Sequence, residues 1–353
     1  MTDDARPHRT RRRLLLGAGV VLVLLVAALG GYAWVLNSKL GDLDRVPIDS
    51  LQDRPDEDAG KDIDVLLLGS DMGKPSAGGG DSVAEDAGSG TWPAGKYRSD
   101  TMMVVHISAD REDVSIVSIP RDTRTTIYDA SGEPQGDAKI NAAFSEHGPA
   151  GAISTVEHLV DVRMDHLAIL DWAGFKDLSR AVGGVPVTVP EAFCDSKQDK
   201  CWEARDYNLK GDEALQYVRT RYGLAGGDFD RIHRQQNFLR SLMKEMIDTG
   251  DLFKPVELNR MLGALADNLT VDEDWTSGEI RSLALSLRGI RSSDVAFLTA
   301  PVASTPTLPD LGSVVELDRE ELAELFDAVR DDSVRDYVRE HPEAVLPDAS
   351  EVG

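Results

Sequence analysis

Apolar positions are unevenly spread along this 353-residue chain. Residues 14–36, LLLGAGVVLVLLVAALGGYAWVL, carry no charged side chain over 23 positions. At about 1.5 Å rise per residue such a helix is roughly 34 Å long, enough for a bilayer core, so Leu14–Leu36 is expected to span a membrane. Arg6, Arg9, Arg11, Arg12 and Arg13 precede it against Asp3 and Asp4. The positive-inside bias then makes residues 1–13 a cytoplasmic tail and places everything after Leu36 outside, with Tyr32 and Trp34 near the outer interface. Two alternatives stand beside the single-pass signal-anchor. Ala28 and Gly30 have the small-residue spacing of a cleavage site, and Thr10–Leu15 resembles a twin-arginine export signal. Each of the three exports the body of the chain.

Residues 37–61 are polar, rich in Asp and Pro and without sustained period, and read as an extracytoplasmic stalk. Ile63–Leu68 (IDVLLL) is a short apolar run closed by Gly69, the pattern of a buried strand. The Gly-rich stretch Gly73–Gly95 reads as a flexible loop insertion. Thr101–Ser108 and Val114–Ile119 are β-branched runs split by five polar or small residues, which predicts an antiparallel hairpin. A helix over Pro149–Val160 and a strand over His166–Leu170 follow. A helix over Trp172–Val182 stops at Gly183 and Gly184, before a strand at Val185–Val189. Further helices are expected at Asp212–Arg219, Asp230–Thr249, Pro255–Asn268, Ser277–Leu287 and Asp318–Arg330. Strands interleaved with helices predict one layered α/β domain over 62–335 with a mixed sheet, followed by a C-terminal tail over 336–353 that is expected to fray after His341.

Charge sharpens this picture. The chain has 38 Lys+Arg against 62 Asp+Glu, a net charge of −24. Five basic and two acidic residues precede position 37, so the exported part holds 33 basic against 60 acidic residues, or −27. Such a surface repels phosphate backbones and excludes a general nucleic-acid binder. Two cysteines, Cys194 and Cys201, exclude a disulfide-dense scaffold, a four-Cys zinc site and a four-thiolate iron-sulfur cluster. Arginines clustered inside so acidic a body are therefore informative.

Two clusters stand out. In a hairpin over Thr101–Ile119, Asp100 and Arg121 come to the same sheet edge. Asp71 joins them if the strand Ile63–Leu68 runs alongside the second hairpin strand, and Arg98 completes the group. Two carboxylates with open water positions form a hard oxygen environment suited to magnesium or manganese on a phosphate. The plainer alternative makes Asp71 an Asx-turn residue, Asp100 a strand-end acid and Arg121 the partner of Asp122. The second cluster is Arg219, Arg221, Arg231, Arg234, Gln235 and Gln236. Arg231 and Gln235 share a helix face, which Arg234 can join. Arg219 and Arg221 diverge on a helix and reach one ligand only if the helix ends between them. Guanidinium forks suit phosphate oxygens, and several together suit a pyrophosphate. The alternative is a set of solvated arginines paired with Asp228 and Asp230.

The segments DVLLLGSD (64–71), RSDTMMVVHI (98–107), VSIPRDT (117–123), KINAAFSEHG (139–148), Gly-Gly-Val-Pro (183–186), LKGDEALQYVRTR (209–221) and DFDRIHRQQNFL (228–239) together resemble the LytR-CpsA-Psr family. The resemblance covers roughly residues 60–250 and, more weakly, the chain to about 330. It implies a three-layer α/β/α fold around a mixed central sheet, with a tunnel for a polyprenyl chain. It implies a membrane-anchored phosphotransferase that moves an anionic glycopolymer, such as a teichoic acid or arabinogalactan, from a polyprenyl-pyrophosphate carrier to peptidoglycan. The bond formed is a phosphodiester at a muramic acid hydroxyl. By motif position, Asp71, Arg98, Asp100 and Arg121 look like the catalytic group, with Asp71 and Asp100 on the magnesium side. Arg98, Arg121, Arg219, Arg221, Arg231 and Gln235 look like the pyrophosphate ligands. Cys194 and Cys201, outside the cytoplasm, are expected as a local disulfide. Rival expectations are a polyprenyl-pyrophosphate phosphatase, a lipid-binding module, and a non-catalytic wall or regulatory protein.

Overall fold

In the computed structural model the described residues are 38–57, 60–72, 82–220, 228–248, 259–261, 263–264 and 268–347. The expected span Leu14–Leu36, and much of the helix expected over Pro255–Asn268, lie outside them. No helix among the described residues is long and apolar enough to cross a membrane.

The apolar runs expected as strands form β2, β3, β4, β7 and β8 within the series β1 (Asp44–Val46), β2 (Ile63–Met72), β3 (Tyr97–Ile107), β4 (Val114–Ile119), β5 (Arg124–Tyr128), β6 (Pro134–Lys139), β7 (His166–Asp171), β8 (Val185–Val189), β9 (Phe193–Asp195), β10 (Lys200–Trp202), β11 (Arg205–Leu209), β12 (Leu269–Asp272) and β13 (Val295–Thr299). Between and after them run α1 (Val83–Gly88), α2 (Asn141–Val160), α3 (Trp172–Ala181), α4 (Asp212–Arg219), α5 (Asp228–Asp248), α6 (Ser277–Ser286), α7 (Arg319–Arg330) and α8 (Val334–Glu340). Seven strands form one sheet in the order β1-β12-β7-β2-β3-β4-β13. It is mixed: β2 is antiparallel to β3 and β3 to β4, while β7 lies parallel to β2 and β13 parallel to β4.

Successive strand side chains point to opposite faces, and here both faces are covered. Leu66, Leu68, Met102, Val104, Val117 and Ile119 pack with Phe144 and Ile153 of α2 and Phe326 of α7. From the other face, Met103, Ile116 and Phe297 meet Leu239 and Met243 of α5 and Leu283 of α6. Helix, sheet and helix thus form three layers.

Several expectations change. The strand Ile63–Leu68 pairs with the first hairpin strand, β3, and not with the second. The stalk expected over 37–61 contributes β1 to the sheet, parallel to β12, and buries Leu40, Leu43, Val46 and Ile48. Its polar composition masks these four anchors. The insertion Gly73–Gly95 is not all loop: Ser82 caps α1, and buried Asp86 accepts from Lys96 at 2.5 Å and from the Tyr97 hydroxyl at 2.7 Å. The helix expected from Pro149 begins at Asn141 and breaks at Gly148, whose φ of 72° is open to glycine. A Cβ there would also sit 2.9 Å from the Trp92 ring. The tail expected to fray after His341 is tied down instead, since buried Leu346 donates its N–H to the Phe297 carbonyl at 2.8 Å. The packed unit therefore extends past both ends of 62–335.

At the sheet end remote from Asp71, His106 sits between Asp64 (3.0 Å) and Asp332 (3.1 Å). Burial pushes the Asp64 carboxyl up to about 6. The burial that would lower His106 is outweighed by its bonds to the two carboxylates, and its pKa rises above the ordinary 6.5. Both shifts make the folded protein hold protons that the unfolded chain releases. The His106 contribution is therefore full below pH 6.5 and lost as pH rises through its folded value. Asp64 adds stability as pH falls through about 6. Melting temperature should fall as pH rises above 6.5, and His106→Gln should flatten that slope. An unchanged slope in the variant would remove this group as its source.

Candidate functional site

The ends of β2, β4 and β7 and the start of β3 open on a cavity of about 590 Å³. Asp71, Arg98, Asp100 and Arg121 all line it. Strand pairing places the first two, because Asp71 stands opposite Arg98 in the ladder. Asp100 is placed by a bulge. Gly69 pairs with Thr101 and Ser70 with Ser99, so Asp100 is the extra residue on β3. Bulges of this kind re-aim a side chain. Arg121 follows Pro120 at the end of β4 and donates from Nη1 to Asp100 Oδ1 at 2.5 Å, with Asp122 Oδ2 3.4 Å from its Nε. The plainer pairing with Asp122 thus exists, yet the shorter bond goes to Asp100.

The second cluster reaches the same cavity from below. α4 ends at Arg219, and Thr220 takes extended angles (φ −60°, ψ 131°), the break that the spacing of Arg219 and Arg221 requires. Arg219 Nη2 donates to Asp71 Oδ2 at 3.2 Å, and its guanidinium lies 5.4 Å from the centre of the Trp172 ring. Arg221 lies outside the described residues. Arg231 and Gln235 line the cavity from α5. Thr101 Oγ1 donates to Gln235 at 3.3 Å, joining this helix to β3. Arg231 is 1 % exposed, which removes the solvated-surface alternative for it.

Arg234 does not share that face. It is fully buried, its guanidinium 4.5 Å from the Phe193 ring centre and 5.2 Å from that of Tyr217. Gln236 is buried too and donates to Ser118 Oγ at 2.8 Å and to the Leu298 carbonyl at 2.7 Å, fastening α5 to the sheet.

Sequence reasoning missed one wall. Cys194 and Cys201 face each other across the β9–β10 hairpin and are joined by the expected disulfide. The short connection brings Asp195, Lys197 and Gln198 to the cavity, beside Trp172 and Leu215. The cysteine spacing was the available signal, since two cysteines this close bridge readily across a tight hairpin.

Asp71 and Asp100 line one cavity, where Asp71 Oδ2 accepts from Arg219 and Asp100 Oδ1 accepts from Arg121. Carboxylate oxygens with room for waters beside them fit magnesium, which keeps waters and takes few protein ligands. A separate group, Asp62, Asp64 and His106, brings three ligand atoms within 4.8 Å of one another near the far end of β2. His106 there already holds two carboxylates.

Comparison with known proteins gives consistent findings. The LytR_cpsA_psr family model matches residues 39–331. The cell wall biosynthesis protein LcpA of Corynebacterium glutamicum is 32% identical over 341 residues, covering 87% of this chain and 63% of LcpA. The chain thus spans under two thirds of that relative. The polyisoprenyl-teichoic acid–peptidoglycan teichoic acid transferase TagU of Halalkalibacterium halodurans is 29% identical over 300 residues, covering 82% of this chain and 94% of TagU. The crystal structure of Bacillus subtilis TagV superposes with a TM-score of 0.59 at 26% identity, over 78% of this chain and 98% of TagV.

Proposed function

Because the chain belongs to the LytR_cpsA_psr family, we propose that it transfers an anionic glycopolymer from a polyprenyl-pyrophosphate carrier to peptidoglycan, forming a phosphodiester bond. The observation that carries this reading is the convergence of Arg98, Arg121, Arg219 and Arg231 with Asp71 and Asp100 on one cavity of an acidic protein. Leu14–Leu36 anchors the chain to the membrane that holds the carrier, with the domain outside the cytoplasm. The name of TagU, which describes a polyisoprenyl-linked polymer moved to peptidoglycan, supports the same substrate class.

The chemistry follows from the placement. An acceptor hydroxyl attacks the phosphorus bonded to the glycopolymer, the bond from that phosphorus to the bridging oxygen breaks, and its electron pair leaves with polyprenyl phosphate. Phosphoryl transfer asks a protein mainly for positioning and charge stabilisation. Arg121, aimed by its bond to Asp100, and Arg98 flank one side of the pyrophosphate. Arg219 and Arg231 meet the other, with Arg221 assigned to them by the family motif. Asp71 and Asp100 would hold magnesium, which when bound neutralises phosphate charge. The hydroxyl proton goes to a carboxylate oxygen not committed to the metal. Asp71, 28% exposed against 16% for Asp100, is the more open acceptor.

The test uses full-length protein in detergent with polyprenyl-pyrophosphate-linked glycopolymer and peptidoglycan, with and without chelator. Expected are polymer on peptidoglycan and released polyprenyl phosphate, both reduced by chelation. Free polymer released without attachment would make the protein a hydrolase.

A further inference from the structure

An α-helix leaves its last carbonyls without intrahelical donors, so its end is set by whatever meets them. At the end of α4 the carbonyls of Gln216, Tyr217 and Val218 each meet a donor. The Thr220 N–H donates to the Tyr217 carbonyl at 3.3 Å. The Gln216 carbonyl accepts from Thr220 Oγ1 at 3.0 Å and from Gln198 Nε2 at 3.2 Å. Gln235 Nε2 donates to the Val218 carbonyl at 3.3 Å, and Arg234 Nη1 reaches the Thr220 carbonyl at 3.5 Å. Gln198 Nε2 also lies 3.3 Å from Thr220 Oγ1. Thr220, fully buried, is thus the point where the β9–β10 hairpin, α4 and α5 are tied together.

The hairpin that presents Gln198 is itself held. Asp195 Oδ1 accepts the backbone N–H groups of Lys197 at 2.8 Å and Gln198 at 3.1 Å, shaping the turn. The disulfide closes the hairpin, and Trp202 packs edge-on against Tyr217 of α4 at 5.2 Å. Arg219, one residue before Thr220, is a long side chain that is 44% exposed. Such a side chain has many rotamers, and the direction in which it leaves the backbone depends on where the helix stops.

From this geometry we infer that Thr220 and Gln198 are positioning residues, which fix the end of α4 and so hold the Arg219 guanidinium on Asp71 and on the pyrophosphate. The disulfide-closed hairpin serves transfer by holding Gln198. This rests on the pyrophosphate reading of the cavity and adds to it a device outside the arginines themselves. Thr220 does not line the cavity, so a defect there does not arise from a lost ligand contact.

The test titrates geranylgeranyl pyrophosphate, geranylgeranyl monophosphate and geranylgeraniol into full-length protein in nanodiscs. The wild type should prefer pyrophosphate to monophosphate. Thr220→Val keeps the shape and removes the hydroxyl, and that preference should fall roughly two- to tenfold, the range of one hydrogen bond. Gln198→Ala should do the same, and because Gln198 also lines the cavity, the Thr220 variants separate positioning from ligand contact. Thr220→Ser should restore the preference, and geranylgeraniol affinity should not change in any variant. A preference that survives both Thr220→Val and Gln198→Ala overturns the inference alone. Equal losses for all three ligands overturn it too, because the residues then serve only the fold. A wild type without any preference removes the pyrophosphate reading and this inference with it.

Discussion

Arg121→Ala is expected to lower transfer by about 10²- to 10³-fold, the cost of deleting one preorganised donor at a site of developing charge. Arg121 leaves the sheet after Pro120, so its backbone direction is set by β4. Its Nη1 is fixed by the 2.5 Å bond to Asp100, which the β3 bulge turns toward it. On the proposed reading, truncation removes a guanidinium from the phosphate and leaves the Asp100 carboxylate without that partner, so an attraction becomes a repulsion. Arg121→Lys should recover part of the rate, since it restores charge without the fork that binds two oxygens. Neither change touches the packed faces of the sheet, and melting should stay near that of the wild type. Wild-type turnover in a well-folded Arg121→Ala protein would end the assignment.

Arg54→Ala should destabilise the domain by about 3–5 kcal/mol, although Arg54 lies in the segment whose composition reads as a stalk. Arg54 Nε donates to both carboxylate oxygens of Glu157 at 3.0 Å, and Nη2 donates to Oε1 at 2.5 Å and to the Met164 carbonyl at 2.6 Å. Glu157 is 1% exposed at the end of α2 and also accepts the Met164 N–H at 2.8 Å. Removing the arginine strands a buried carboxylate, and that uncompensated charge dominates the cost. In a domain of this size the melting point should drop by roughly 5–15 °C. The double change Arg54→Met with Glu157→Leu should recover much of the loss. A single variant that melts within a degree of the wild type would mean that residues 50–57 are the spacer their composition suggests.

The strand and helix pattern was legible because each element carries its own period. Ile63–Leu68, the hairpin runs and Trp172–Val182 are local statements about which face is apolar, and the structure keeps them with small changes at the ends. The arginine motifs were legible for another reason, since Arg219, Arg231 and Gln235 keep spacings that one helix end and one helix face impose. Polar stretches were read less well. Gly73–Gly95 hides a capped helix and an Asp86–Tyr97 bond, and residues 37–61 hide a strand, because a few buried side chains in a hydrophilic run leave no periodic trace.

By itself, then, the sequence determined the strongly periodic helices, the strands of the hairpin and its apolar neighbours, the acidic body with its arginine islands, the disulfide partners and the family. The tertiary structure alone decided which strand lies beside Ile63–Leu68, and hence that Asp71 stands opposite Arg98. It decided that Asp100 is turned by a bulge, that Arg234 is buried between rings while Arg231 faces the cavity, and that Gln198 reaches Thr220. These are long-range matters of register and of which side chain meets which orphan carbonyl. Their energies depend on partners distant along the chain, so no local window of residues contains them.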